Sequence, residues 1–394
     1  MPRFSGILFF LVMLMAICAN SGQTADARVL TGAEQTGLYL SRLTGRTLAV
    51  AANPTSTVGG THLVDFLLSR NIAVKAVFAP EHGFRGEADA GEHVADGLDA
   101  KTGLPVISLY GSHQKPTADD LRGIDLVLFD IQDVGVRFYT YISTLHLIME
   151  ACAENGVPLL VLDRPNPNGF YLDGPVLDPG YRSFVGMHPV PVVHGMTIGE
   201  YAQMVNGEGW LAGGARCRLE VVPCRNYTHR THYRPPVKPS PNLPTYRSIL
   251  LYPTLCFFEG TAASVARGTD FPFEAVGHPD YRPGGFTFTP RSMDGAKHPP
   301  FQDQPCRGRD FRGIPVGQLE SRPGIDPGII IDVWRACGGK SDFFNPFFTQ
   351  LAGGPRLREQ IEQGMTADAI RETWRPGLEQ FRQIRQKYLL YPDF

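Results

Sequence analysis

The segment Ala79-Pro-Glu-His-Gly-Phe-Arg-Gly86 gathers a carboxylate (Glu81), an imidazole (His82) and a guanidinium (Arg85) into a few residues, spaced by glycines. Such groups can pass a proton, position the group that passes it, and hold an anion. They follow an apolar, β-branched run from Val74 to Ala79 that stops at Pro80. In open α/β sheets the ligand crevice lies beyond the carboxyl ends of the strands, so a Glu-His pair at such an end is where catalytic groups are expected. Wedged between Pro80 and His82, Glu81 has the shielded setting of a general acid, with His82 tuning or positioning it.

Other strand ends repeat the pattern. Asn53-Pro-Thr-Ser, Tyr110-Gly, Asp130-Ile-Gln-Asp133 and Asp163-Arg-Pro-Asn each follow an apolar run directly. One polar end would mean nothing, because loops are polar anyway; five such ends on one edge point to a site. In Phe129-Asp-Ile-Gln-Asp-Val-Gly-Val-Arg-Phe-Tyr-Thr-Tyr141, the group Arg137, Tyr139 and Tyr141 suits a sugar or carboxylate ligand, since arginine grips carboxylates bidentately. The structural reading makes Asp133 a loop cap and the tyrosines packing residues. Arg164, on the stiff Asp163-Arg-Pro-Asn-Pro-Asn-Gly169 loop, is harder to explain as a turn residue. In the second half, Phe258-Glu-Gly-Thr261 and Ala266-Arg-Gly-Thr269 present Glu259 and Arg267 on paired turns, to face a neighbouring surface or to form an ordinary ion pair.

These ends need a scaffold. Thr47–Ala52, Val74–Ala79, Val106–Tyr110, Leu126–Ile131 and Leu159–Leu162 are nearly continuous in apolar residues, as parallel strands covered on both faces are. Helical spacing appears from Leu63 to Leu68 and from Ile142 to Asn155, where Gly156 stops it. The alternation predicts a doubly wound α/β domain over residues 28–189. A second unit is expected over 190–394. There Thr197 with Glu200 forms a capping box for a helix to about Asn206, and Arg218–Val222 reads as a strand. The proline- and glycine-rich stretches Arg234–Pro253 and Arg282–Pro327 read as ordered loops, and the tail from Arg356 to Tyr388 as two amphipathic helices.

Composition sets the class. The chain has 394 residues, 43% of them hydrophobic, and a net charge of −2 with no cationic block. That balance excludes nucleic acid and anionic membrane surfaces as expected partners. Arg3, the apolar run Ile7–Ile17 and Ala25-Asp-Ala27 read as a secretory signal peptide spanning residues 1–27, which makes the mature protein periplasmic or secreted, with no membrane insertion after cleavage. Lipidation at Cys18 is the alternative, disfavoured by the bulky Ile17 before it. Six cysteines remain, with Cys217 and Cys224 the closest pair in sequence; disulfides and buried free thiols are both open to them.

Phosphate-loop and dinucleotide signatures are missing, as are Gly-x-Ser-x-Gly and His-Glu-x-x-His, so no cofactor is expected. A metal site built on His62, His82 and His93 matches no common ligand spacing. Acid/base chemistry by carboxylates remains, and it suits glycoside cleavage, which needs two of them. Asp89, Glu92, Asp130, Asp133 and Glu259 are open as the partner of Glu81.

The Glu81 and Arg137 segments just quoted resemble one family, together with Asp89-Ala-Gly91, Ser108-Leu-Tyr-Gly111, Asp163-Arg-Pro-Asn-Pro167, Glu259-Gly-Thr261, Arg267-Gly-Thr269 and Tyr388-Leu-Leu-Tyr391. It is the exo-acting β-N-acetylmuramidases, long catalogued as a domain of unknown function. The resemblance implies a Rossmann-like N-terminal domain, a smaller C-terminal domain and a cleft between them. It implies release of N-acetylmuramic acid (MurNAc) from the non-reducing end of peptidoglycan fragments such as MurNAc-GlcNAc, with Glu81 as catalytic residue. The lactyl carboxylate would then need Arg137, Arg164 or Arg267. Ala262, Ala263 and Ala266 depart from the asparagine and glycine that the family tends to carry there.

Overall fold

A computed structural model of the chain describes residues 28–85 and 96–394. The expected signal segment, Asp89, Glu92 and His93 lie outside the described residues. Seven strands form the main sheet: β1 (Thr47–Ala52), β2 (Ala73–Ala79), β3 (Gly97–Leu98), β4 (Pro105–Ser108), β5 (Leu126–Asp130), β6 (Leu159–Leu162) and β7 (Leu219–Val222). Their order is β3-β4-β2-β1-β5-β6-β7, parallel except for β3 at one edge. Counted among themselves, the parallel strands run 3-2-1-4-5-6, the doubly wound order in which ligands bind where the winding reverses. Here that point lies between β1 and β5, so Asn53 and Asp130 stand at its mouth and Glu81 one strand away.

Alternation along the strands divides the core. Ala49, Ala51, Phe78, Val127, Phe129 and Val161 pack on one face, while Leu48, Val50, Val77, Leu128 and Leu160 pack on the other. Helix α1 (Leu63–Ser69) covers the second face, and helix α2 (Tyr141–Asn155) the first. Both were readable from their spacing. Gly156 ends α2 in the left-handed region at φ 67°, where a Cβ would be strained. The Thr197–Glu200 capping box starts helix α3 (Ile198–Gly207).

The sheet layer continues past residue 190, where a second unit was expected to begin: α3 packs on it and β7 pairs with β6. Beyond it lie helix α4 (Tyr246–Leu255), an antiparallel sheet of β8 (Ala275–His278), β9 (Phe286–Phe288) and β10 (Cys306–Asp310), and a run of helices. The helix α4 falls in a stretch that reads as loop because of its prolines. A second capping box, Thr245 with Ser248, starts it, and Pro253 sits in its last turn. Further on come α5 (Pro327–Ala336) and α6 (Pro346–Ala352); the tail then folds as three helices rather than two, α7 (Arg356–Glu362), α8 (Ala367–Glu372) and α9 (Arg375–Gln386). One apolar cluster runs from the sheet through α4 to Phe348, Trp374 and Phe381, so the second unit packs directly on the first.

The six described cysteines are free thiols, all buried but the half-buried Cys337. No described helix is long and apolar enough to cross a membrane.

Candidate active site

Glu81 and Tyr110, from the ends of β2 and β4, share a cavity of about 790 Å³ with Glu259, Arg267 and Lys297 of the second unit. The cavity thus lies between the strand ends and the smaller unit. Thr140 Oγ1 donates to Glu81 Oε2 at 3.1 Å, and the Tyr110 hydroxyl also bonds to this carboxyl. Burial, then the charge of Glu81, pushes the Tyr110 phenol up, so it stays a protonated donor. The turn that presents Glu81 is tight: Gly83 N bonds Pro80 O at 3.0 Å, and His82 takes a left-handed φ of 70°. A non-glycine residue there carries strain that its surroundings must hold. The buried imidazole meets Ser240 Oγ at 3.2 Å through Nε2. His82 thereby ties the Glu81 turn to the segment entering α4.

The other strand-end residues sort differently. Asp130 and Arg164 form a bidentate pair at 2.6 and 2.8 Å, with Asp130 fully buried and Arg164 nearly so. Burial pushes the Asp130 carboxyl up against the opposing pull of Arg164. The pair spans β5 and β6 beneath the crevice. Asn53 is buried too, its Oδ1 accepting from Thr55 N and Oγ1 at 3.0 and 2.5 Å and so fixing the turn after β1. Arg85 grips Asp99 (2.8 and 3.0 Å) and Asp65 (3.2 and 3.3 Å) and lies over the Phe84 ring, which makes it a clamp on its own loop. Asp133 accepts from Gly135 N at 2.6 Å, as a loop cap does; burial raises its carboxyl to about 7. Its other oxygen has no hydrogen-bond partner among the described residues, and His194 Nε2 stands 3.9 Å from Oδ2.

Arg137 is fully buried. It donates to the carbonyls of Pro175, Val190 and Leu351 at 2.7 to 2.8 Å, which joins the main sheet's loops to α6. The Tyr139 hydroxyl donates to Pro239 O at 2.7 Å from a ring packed edge-on against Tyr141 and Tyr252. Structural roles therefore hold for Arg85, Asp130, Asp133, Arg137, Tyr139 and Arg164 in this arrangement. Their residue types were visible in the sequence; their partners were not.

Glu259 and Arg267 do reach the cavity. Arg267 Nε and Nη2 both lie 2.7 Å from Glu259 Oε1, the guanidinium sits 5.0 Å over the Phe273 ring, and Nη1 has no hydrogen-bond partner among the described residues. Sequence reasoning passed over Thr140, although it sits between Tyr139 and Tyr141, because a lone hydroxyl carries no spacing signal. It also passed over Ser240 and Asn242. Asn242 Nδ2 donates to Gly295 O at 2.8 Å and so sets the cavity rim at Lys297. Among the described residues no cluster of three or more His, Cys, Asp or Glu is arranged to hold a metal; His62 bonds Asn53 O and caps α1.

The paired units have counterparts. Residues 48–247 match the family model described as exo-β-N-acetylmuramidase NamZ, N-terminal, and residues 250–391 match the C-terminal model. The chain belongs to this family. It is 38% identical over 378 residues to peptidoglycan β-N-acetylmuramidase NamZ of Bacillus subtilis (strain 168), covering 90% of this chain and 89% of the relative. Two DUF1343 family proteins of Bacteroides fragilis NCTC 9343, both crystal structures, share the fold. One is 45% identical with a TM-score of 0.87, covering 93% of this chain and 100% of its own. The other is 28% identical with a TM-score of 0.77, covering 92% and 99%.

Proposed function

We propose that this chain is a peptidoglycan-cleaving glycoside hydrolase in which Glu81 is the general acid. Membership in the family supports the reaction class, and the observation that carries the residue assignment is Glu81 on the cavity wall, held by Thr140 and Tyr110. Such a pair of hydroxyls fixes the carboxyl's direction towards a leaving oxygen. Among the described residues that line the cavity the acidic ones are Glu81 and Glu259, so Glu259 is the partner carboxylate of this reading. Asp130 and Asp133 are committed to the interior.

The finer reading is exo-cleavage that releases MurNAc from the non-reducing end of fragments such as MurNAc-GlcNAc and muropeptides. Arg267 holds the lactyl carboxylate in this reading, because the other two arginines offered for that role are spent on Asp130 and on backbone carbonyls. The site then works outside the cytoplasm, in the periplasm or beyond, in keeping with the signal-like first 27 residues.

Mass spectrometry of products from MurNAc-GlcNAc tests the assignment. Wild type should release MurNAc, and Glu81→Gln, folded by circular dichroism, should lose on the order of 10² to 10⁴ in rate, the usual scale of general acid catalysis. Saturable binding of muropeptides with no product would turn the reading into a binding protein. Full activity in Glu81→Gln would remove Glu81 from the mechanism.

A further inference from the structure

A second cavity of about 550 Å³ opens beside the active site, on the antiparallel sheet. Phe271 and Phe286 form its apolar side, with ring centroids 6.0 Å apart and an edge-on tilt. The Arg312 guanidinium lies over both rings, 4.1 and 5.1 Å from their centroids, and is held there by Asp310 at 2.8 and 2.9 Å. Thr287, Thr289 and Ser292 add hydroxyls along the strand and the loop after it. Partly exposed aromatic rings, an exposed fixed guanidinium and hydroxyls together suit the mixed apolar and hydroxylated surface of a sugar ring.

The linings of the two cavities meet at consecutive residues of the chain. Arg267 lines the first and Gly268 the second. A Cβ on Gly268 would stand 2.5 Å from Arg291 O and 2.6 Å from Pro299, and Pro299 lines the first cavity while Arg291 lines the second. One small apolar cluster of Ala266, Ala275, Phe288 and Cys306 backs both, with Phe301 packed against it from the active site and Phe271 and Phe286 from the neighbour. The volume of the second cavity, in the lower part of the range common for ligand pockets, is room for a sugar unit or two.

We propose that the glycan beyond the scissile bond continues past Arg267 and Gly268 into this second cavity, so that Phe271, Phe286 and Arg312 form a subsite for the leaving chain. The proposal rests on the glycosidase reading above. It makes the protein selective for length: a MurNAc-capped tetrasaccharide reaches the subsite, while the disaccharide MurNAc-GlcNAc does not.

The test is kcat/KM on the MurNAc-capped tetrasaccharide and on MurNAc-GlcNAc, for wild type, Phe286→Ala and Arg312→Ala. Wild type should favour the tetrasaccharide. Each variant should lose roughly three- to tenfold on it, the scale of one lost aromatic contact, and keep its disaccharide rate. A wild type indifferent to length, or a loss shared equally by both substrates, would overturn the subsite. Binding of the N-acetylglucosamine tetramer by Glu81→Gln, read by calorimetry with and without Phe286→Ala, separates the two readings. Weaker binding with Phe286→Ala supports the subsite even if no hydrolysis is found, and unchanged or absent binding counts against it.

Discussion

Glu81 illustrates how few side chains the proposed chemistry asks for. Thr140 and Tyr110 direct its carboxyl, while the strained His82 next to it is pinned by Ser240. Ser240→Ala should therefore disturb the turn more than the overall stability: we expect kcat to fall severalfold with little change in melting temperature, and Ser240→Thr to restore part of it. Arg164 and Asp130 lie at the other extreme. Asp130→Ala strands a buried guanidinium and should cost about 3–5 kcal/mol in urea unfolding. That difference explains what was legible at this scale. Arginine in a strand-end loop is visible in a sequence, but Arg137 is explained by Leu351, more than two hundred residues away, and no local pattern announces a carbonyl. Glu259 and Arg267 were legible because both partners sit on adjacent turns.

Titration belongs to the residue scale as well. Burial holds His62 down to about 4 and His194 to about 3, against an ordinary 6.5. Below 6.5 the unfolded chain takes up protons that these native imidazoles refuse, so stability falls as pH falls. Asp133 acts in the opposite sense. Burial lifts it to about 7 from 3.8, the native carboxyl keeps a proton that the unfolded chain releases, and stability falls as pH rises through that window. The two histidines outweigh it between pH 4 and 6.5, so Asp133→Asn should make the melting temperature fall more steeply as pH drops through that range. An unchanged slope would mean that Asp133 is ionised in the native state.

Among the elements, the parallel strands were the most legible, because burial on both faces writes an unbroken apolar run. Helix α4 was not, since the prolines before it and Pro253 in its last turn read as loop until the Thr245–Ser248 capping box is seen to start it between them. The strand β7 was found as a strand, yet its place in the main sheet depends on pairing with β6, which sequence spacing does not encode. Close packing of α6 on the Glu259 turn leaves a sharp prediction. A Cβ at Gly260 would stand 2.3 Å from Phe348 Cα and 2.4 Å from its nitrogen. Backbone on both sides leaves nothing to yield, so Gly260→Ala should destabilise by roughly 1–3 kcal/mol and, by moving Glu259, lower activity on MurNAc-GlcNAc.

For the whole molecule, the two units are joined by polar ties at depth as well as by the shared apolar cluster. Arg137 fastens α6 to the loops of the main sheet. The C-terminal tail returns to the same sheet: fully buried Arg385 holds Gly195 O at 2.7 and 3.0 Å and Asp393 at 2.7 Å, and the Tyr391 hydroxyl donates to Asp163 at the end of β6. Tyr391→Phe deprives both Asp163 and Cys224 N of a buried partner and should cost about 1–3 kcal/mol by thermal unfolding.

That returning tail also orders events in time. Arg385 and Tyr391, which close over Gly195 and Asp163, leave the ribosome some two hundred residues after them. A growing chain can assemble its parallel strands, but it cannot finish burying their ends until this segment has emerged. The first unit is begun first and completed last.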